Sequence, residues 1–106
     1  MTLDPEDSKL ITLARAARAR NEAAEGAAVR DETGRTYSAT NIALESLTLS
    51  AVQVAAAMAV SSGARSLEAA ALVTAGEGPS AADTAVTGEL GAGALHVAGP
   101  DGVLRS

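Results

Sequence analysis

Few side chains of this chain are suited to chemistry. The sequence contains one histidine, His96, and no cysteine, which excludes thiol nucleophiles and thiolate metal ligands. A serine nucleophile would need His96 beside a serine and an acid, and no Gly-x-Ser-x-Gly turn supports such a triad. His96 lies in an apolar segment, without a second histidine to complete a ligand set. We therefore interpret it as a structural histidine, either tolerated in that segment or held by a hydrogen bond.

A glycine cluster near the C-terminal end also lacks the order of a phosphate loop. Gly88, Gly91 and Gly93 follow an expected helix and lead into an expected strand. Phosphate loops run the other way, from a strand into the N-terminus of a helix. The cluster is therefore interpreted as a connection.

Small polar residues at the start of two expected helices form the remaining candidate group. Residues 47–55 read Leu-Thr-Leu-Ser-Ala-Val-Gln-Val-Ala, and residues 78–84 read Gly-Pro-Ser-Ala-Ala-Asp-Thr. Ser50 and Ser80 can each accept a hydrogen bond from the first turn of a helix, and Asp83 stands where a capping box has its second member. Helix capping is thus one interpretation of Ser50, Ser80 and Asp83.

Periodicity and turn signals predict the order α-β-β-α-β-α-β, with a short terminal strand. Asp4 followed by Pro5 marks a helix start, and Gly34 supplies the positive φ of a hairpin turn. Helices are expected from Pro5 to about Asn21, over Leu47–Ser61, and from Ser80 to about Gly88. Strands are expected over Gly26–Arg30, Thr36–Asn41, Leu67–Thr74, Ala94–Ala98 and Val103–Leu104.

Strands that are joined through helices imply parallel neighbours added to the first hairpin. The sequence therefore predicts an α/β fold with one domain over residues 1–106, in which helices cover a mixed sheet of about four to five strands. The segment 47–61 is apolar around its circumference and predicts a central helix buried on most sides. We expect Met58 to be buried there, on a face shared with Ala51, Val54 and Ala55.

Composition limits the possible partners. The net charge is −5 and the pI near 4.7, so no basic field is available for nucleic acid. The acidic N-terminus does not resemble a signal peptide, and no apolar run reaches membrane-spanning length, which predicts a cytoplasmic protein without membrane contact. Tyr37 is the sole aromatic residue, and the Ala-rich core offers limited buried area, so we expect a homo-oligomer, a dimer or tetramer.

The order of these segments resembles the cytidine deaminase family. The resemblance rests on Gly26-Ala-Ala-Val, on Tyr37-Ser-Ala-Thr-Asn-Ile, on Leu-Thr-Leu-Ser-Ala entering a helix, and on Pro79 before the next helix. It implies a three-layer α-β-α fold. In zinc deaminases, three His or Cys ligands and one proton-shuttling glutamate converge at these two helix starts.

Carried over by position, the resemblance places Ser50, Ser80 and Asp83 at the three zinc ligands and Val52 at the catalytic glutamate. Two neutral hydroxyls and one carboxylate are poor substitutes for thiolates and imidazoles, and valine cannot move a proton. The sequence thus predicts no metal site, no cofactor and no catalytic residue, and these positions form a remnant pocket.

Asn41 is the fifth residue of that remnant pocket. It matches the asparagine that contacts the ribose in the family, whereas Ala43 replaces that residue's glutamate partner. Asn41 could equally end the second strand by bonding its own backbone. Both interpretations stay open.

Two functions are consistent with this sequence. The first is a catalytically degenerate pseudoenzyme of the deaminase-like fold, kept as an oligomeric interaction or structural protein. The alternative is a nucleoside-binding protein or a cytidine deaminase, a hydrolase acting on cyclic amidines, that uses the remnant pocket without the usual zinc. The separate losses of metal ligands and proton shuttle favour the first.

Overall fold

A computed structural model describes residues 3–105, which form three helices and seven strands. The helices are α1 (Pro5–Asn21), α2 (Ala51–Ser61) and α3 (Ala81–Glu89). The strands are β1 (Glu25–Asp31), β2 (Thr36–Thr40), β3 (Ile42–Ala43), β4 (Thr48–Leu49), β5 (Leu67–Thr74), β6 (Leu95–Ala98) and β7 (Leu104–Arg105). The predicted order of elements is confirmed, with the β3–β4 pair as an addition.

The middle layer is a mixed sheet of five strands in the order β2-β1-β5-β6-β7. Strand β1 pairs antiparallel with both β2 and β5. Strand β5 pairs parallel with β6, and helix α3 connects the two strands along the chain. Strand β7 returns antiparallel to β6. The predicted α/β fold with a mixed sheet of four to five strands is confirmed.

Helix α1 covers one face of the sheet. The Asp4 carboxylate accepts a hydrogen bond of 2.8 Å from the Glu6 backbone N–H, and Pro5 occupies the first helical turn, as the sequence predicts. The apolar side of the helix packs on the sheet through the buried residues Leu10, Ile11, Ala14 and Ala17.

Within residues 3–105, no helix combines the length and apolarity needed to cross a membrane.

Glycine at position 26 allows α1 to lie close to the sheet. A Cβ atom built there would overlap the carbonyl oxygen of Ala14 and come within 2.9 Å of the Arg18 backbone nitrogen. Both obstacles are backbone atoms of α1, which cannot swing aside as a side chain can. The contact thus requires a residue without a Cβ.

Helices α2 and α3 lie on the other side of the sheet, where an aliphatic core is built mostly from alanine. Val52, Leu72 and Val29 are its largest fully buried side chains. Small side chains let the layers approach closely, but each buries little apolar area.

The predicted start of the central helix was wrong by four residues. Thr48 and Leu49 pair with Ile42 and Ala43 as a small antiparallel ribbon, and α2 begins only at Ala51. The cause is Ser50, whose extended backbone caps the helix and stops it from extending toward the N-terminus.

The prediction that Met58 is buried was also wrong, because its side chain is 41% exposed. The buried stripe of α2 is centred on Val52, Ala55 and Ala59, and Met58 lies at its margin. Val54 is only partly buried. The apolar composition of α2 predicted a helix buried on most sides, although the side that carries Met58 and Val60 is open to solvent.

Candidate functional site

The N-termini of α2 and α3 meet beside the sheet. The Ser50 hydroxyl Oγ donates a hydrogen bond of 2.5 Å to Oδ1 of Asp83, which lies 33 residues further along the chain. The backbone N–H of Ser80, the residue that caps α3, donates to Oδ2 of the same aspartate. Three of the five residues predicted for the remnant pocket, Ser50, Ser80 and Asp83, therefore form one hydrogen-bonded cluster.

Each of the two helices also closes a capping box. Ser50 Oγ accepts from the Gln53 N–H at 3.1 Å, and Gln53 Oε1 accepts from the Ser50 N–H at 3.0 Å. In α3, Ser80 Oγ accepts from the Asp83 N–H at 3.2 Å, and Asp83 Oδ2 accepts from the Ser80 N–H at 3.1 Å. The predicted capping roles of Ser50, Ser80 and Asp83 are confirmed. Both carboxylate oxygens of Asp83 are thereby engaged, and the residue is only 1% exposed.

Val52 is the second residue of α2 and belongs to the aliphatic core. It is fully buried and packs among alanines of α2 and the sheet. Its side chain offers no group that could hold or move a proton.

Asn41 follows β2 directly and bonds to the neighbouring strand. Its side-chain Oδ1 accepts a hydrogen bond of 3.1 Å from the Glu25 backbone N–H, at the start of β1. The bonded backbone is therefore that of β1, and the interpretation that Asn41 bonds its own backbone needs this correction. The bond fixes the end of the β1–β2 hairpin.

Glu25 is a member of this region that sequence reasoning missed. Its Oε1 accepts a hydrogen bond of 3.0 Å from the Ala51 N–H, so a carboxylate lies at the positive end of the α2 dipole. Alternation along β1 places residue 25 on the same face as Ala27 and Val29, toward α2. The alternation of side chains along β1 could therefore have identified Glu25 from the sequence.

A profile of the family described as cytidine deaminase-like matches residues 3–102 of this chain. The chain belongs to the cytidine deaminase-like family. No curated protein sequence matches it.

Solved structures with this fold include two cytidine deaminases. The enzyme from Burkholderia pseudomallei is 27% identical with a TM-score of 0.74, and the match covers 92% of this chain and 87% of that one. The enzyme from Mycobacterium leprae is 23% identical with a TM-score of 0.72, over 96% of this chain and 93% of that one. The resemblance seen in the sequence is thereby confirmed at the level of family and fold.

The donor set at the two helix starts does not fit the zinc ion that this family's motifs would hold. Ser50 and Ser80 supply neutral hydroxyls, and the oxygens of Asp83 already accept hydrogen bonds from both serines' segments. Zinc sites of this type use thiolate and imidazole ligands. Within residues 3–105, no three His, Cys, Asp or Glu side chains are grouped so that they could bind a metal ion.

His96 belongs to a separate polar cluster on the α1 side of the sheet. Its Nε2 lies 2.9 Å from Oδ2 of Asp7, whose Oδ1 lies 2.8 Å from Nη2 of Arg30. The Nε of Arg30 donates to Glu68 at 2.8 Å. The prediction of a hydrogen-bonded histidine is confirmed. Together these contacts tie the first turn of α1 to β1 and β6.

The charges of this cluster affect the titration of Asp7. Burial by itself would raise the pKa of the Asp7 carboxyl, but the hydrogen bonds to His96 and Arg30 and the charge of Arg30 outweigh it and lower the pKa below its ordinary value. The two carboxylates beside it raise the pKa of Arg30. The cluster thus keeps both Asp7 and Arg30 charged.

Proposed function

We propose that this cytidine deaminase-like chain is a catalytically degenerate member of its family, a cytoplasmic protein that acts through homo-oligomeric or structural interactions. The observation that carries the proposal is the hydrogen bond between Ser50 and Asp83. It occupies the place where, by the resemblance, two zinc ligands would stand. A carboxylate and hydroxyls committed to one another leave no strong ligand free for a metal ion.

The position of Val52 supports the same proposal independently. Hydrolytic deamination needs a group that carries protons from the attacking water to the leaving amine. Val52, at the matched position, is fully buried in the aliphatic core. The independent losses of the metal ligands and of the proton carrier both argue against deamination by the usual route.

A nucleoside-binding protein without the usual zinc is the second candidate. Asn41 and Glu25 favour it, because their side chains lie at neighbouring positions where β1 begins and β2 ends. An amide and a carboxylate side by side could bond the hydroxyls of a sugar. Both side chains already bond backbone N–H groups, so we rank this candidate second.

We expect the purified protein to contain only trace zinc and to leave cytidine and deoxycytidine unchanged. Elemental analysis measures the first and an ultraviolet absorbance assay the second, with an active cytidine deaminase as positive control. Val52→Glu alone should not restore activity, because no activated water is available. Stoichiometric zinc, or turnover that is lost on changing Ser50 or Asp83, would contradict the proposal.

An open apolar surface on α2 supports the proposed homo-oligomer. Within residues 3–105, four of the six large apolar side chains that are well exposed lie on α2 or in the turn that joins β3 to β4, namely Leu44, Leu47, Met58 and Val60. A shallow groove of about 410 Å³ runs along Tyr37, Val54 and Met58. Helix α2 carries no charged residue, so two acidic copies could approach there with little repulsion.

We expect sedimentation at micromolar concentration to show a dimer or tetramer. Met58→Glu should shift the equilibrium toward monomer, since it places a charge on the α2 surface without disturbing the core. Val103→Glu is the matched control, because Val103 is 62% exposed but lies on the turn before β7. A wild-type protein that stays monomeric would refute the oligomer.

A further inference from the structure

We propose that Ser50 and Asp83 form a metal-free crosslink that does the structural work of a metal ion, holding the starts of α2 and α3 together. This inference rests on the proposed function, namely that the site holds no zinc. It assigns the two residues a role in stability that neither capping box requires by itself.

The division of hydrogen bonds within the cluster points to a crosslink. Each capping box is complete inside its own helix, through Gln53 for Ser50 and through Asp83 for Ser80. The Ser50 hydroxyl has one proton, and it is used across the two helices, on Asp83 Oδ1 at 2.5 Å. A hydroxyl donating to a carboxylate at this distance is in the range of charge-assisted bonds, which are stronger than neutral ones.

Burial of Asp83 supports the same conclusion. Aspartate side chains are mostly exposed to solvent in proteins, yet this one is 1% exposed. A buried carboxylate is costly unless hydrogen bonds and nearby positive potential offset the loss of water. The Ser80 N–H and the dipoles of α2 and α3 supply that potential, and the Ser50 hydroxyl supplies the last bond. Removing Ser50 would therefore affect Asp83, although the two are 33 residues apart.

A double-mutant cycle measures the crosslink directly. Thermal melting is recorded for Ser50→Ala, Asp83→Ala and the double variant. We expect coupling, so that the double variant melts well above the temperature obtained by adding the two single shifts. A control cycle pairs Ser50→Ala with Thr84→Ala, an exposed residue of α3 that bonds only its own helix, and should be additive. Additive behaviour in the first cycle would overturn the crosslink.

A second experiment replaces the hydrogen-bonded crosslink with a zinc site built from cysteines. It remains informative if the alanine variants fail to fold. The variant with Ser50→Cys, Ser80→Cys and Asp83→Cys should bind one zinc ion per chain, and EDTA should lower its melting temperature until zinc restores it. The control retains Asp83 and carries Thr84→Cys as its third change, which displaces one ligand and should weaken zinc binding. Neither zinc nor EDTA should move the melting temperature of the wild type.

The outcomes separate this inference from the proposed function. Zinc in the wild-type protein would overturn both. A zinc-free wild type with an additive first cycle and no zinc-dependent melting in the cysteine variant would leave the proposed function standing and refute the crosslink.

Discussion

Gly26→Ala is expected to cost about 3 kcal/mol of unfolding free energy or more, or to prevent folding. Overpacked cores typically lose about 1–3 kcal/mol when side chains can adjust. Here the added Cβ meets the Ala14 carbonyl oxygen and the Arg18 backbone, so α1 as a whole would have to move off the sheet. That displacement would loosen the contacts of Leu10 and Ile11 with the sheet, within a total stability of about 5–15 kcal/mol for a typical domain.

Gly88→Ala serves as the matched control for that variant. A Cβ at Gly88 meets nothing within 4 Å, and the residue lies inside α3 without a positive φ. Replacing a helical glycine with alanine usually stabilises by up to about 1 kcal/mol. Thermal or urea unfolding should therefore show opposite shifts for the two alanine variants. Equal stability of Gly26→Ala and wild type would mean that α1 does not lie against β1 as described.

Arg30→Met is expected to lower the free energy of unfolding by about 2–3 kcal/mol, near the value for losing hydrogen bonds to a charged partner. Methionine keeps much of the apolar stem but leaves the Asp7 carboxylate, 18% exposed, with His96 as its remaining partner in the cluster. Glu68 is 48% exposed and can turn to water, which limits the loss. Denaturant unfolding at pH 7 measures the effect. The exposed residue Lys9, replaced by Met, is the control, and a similar loss there would contradict the argument.

The stability of the Arg30→Met variant should depend less on pH in the acidic range than the stability of the wild type. The folded protein holds the pKa of Asp7 below its ordinary value of 3.8, so its interactions contribute fully above that value and are lost as the pH falls through the lowered pKa. Melting of the wild type should fall more steeply below about pH 4 than melting of Arg30→Met. Asp31 also has a lowered pKa, chiefly through the Thr33 hydroxyl, and contributes the part of the slope that both proteins share.

The sequence was sufficient to predict those helices and strands whose ends are set by neighbouring residues. Asp4 and Pro5 fixed the start of α1, and β5 runs from Leu67 to Thr74 as predicted. Sequence patterns did not predict the elements that depend on pairing with another segment of the chain. The short ribbon before α2 depends on pairing between Ile42 and Leu49, and segments of two residues carry little periodicity.

The candidate site shows the same limit. Capping by Ser50 and Ser80 follows from neighbouring residues, so it was predictable. The bond between Ser50 and Asp83 joins two helices, and only the family resemblance had placed these residues together. The partner of His96 is Asp7, 89 residues away, and no rule of spacing identifies such a pair. Exposure of Met58 likewise depended on whether another surface covers α2.

The hydrogen bond between Ser50 and Asp83 changes which surroundings the fold can tolerate. A site closed by thiolates and a metal ion fails when oxidants attack sulfur or when chelators withdraw the metal. This chain has no cysteine, and oxygen atoms alone join its two helix starts. The contact between α2 and α3 therefore offers no sulfur for an oxidant and no metal ion for a chelator.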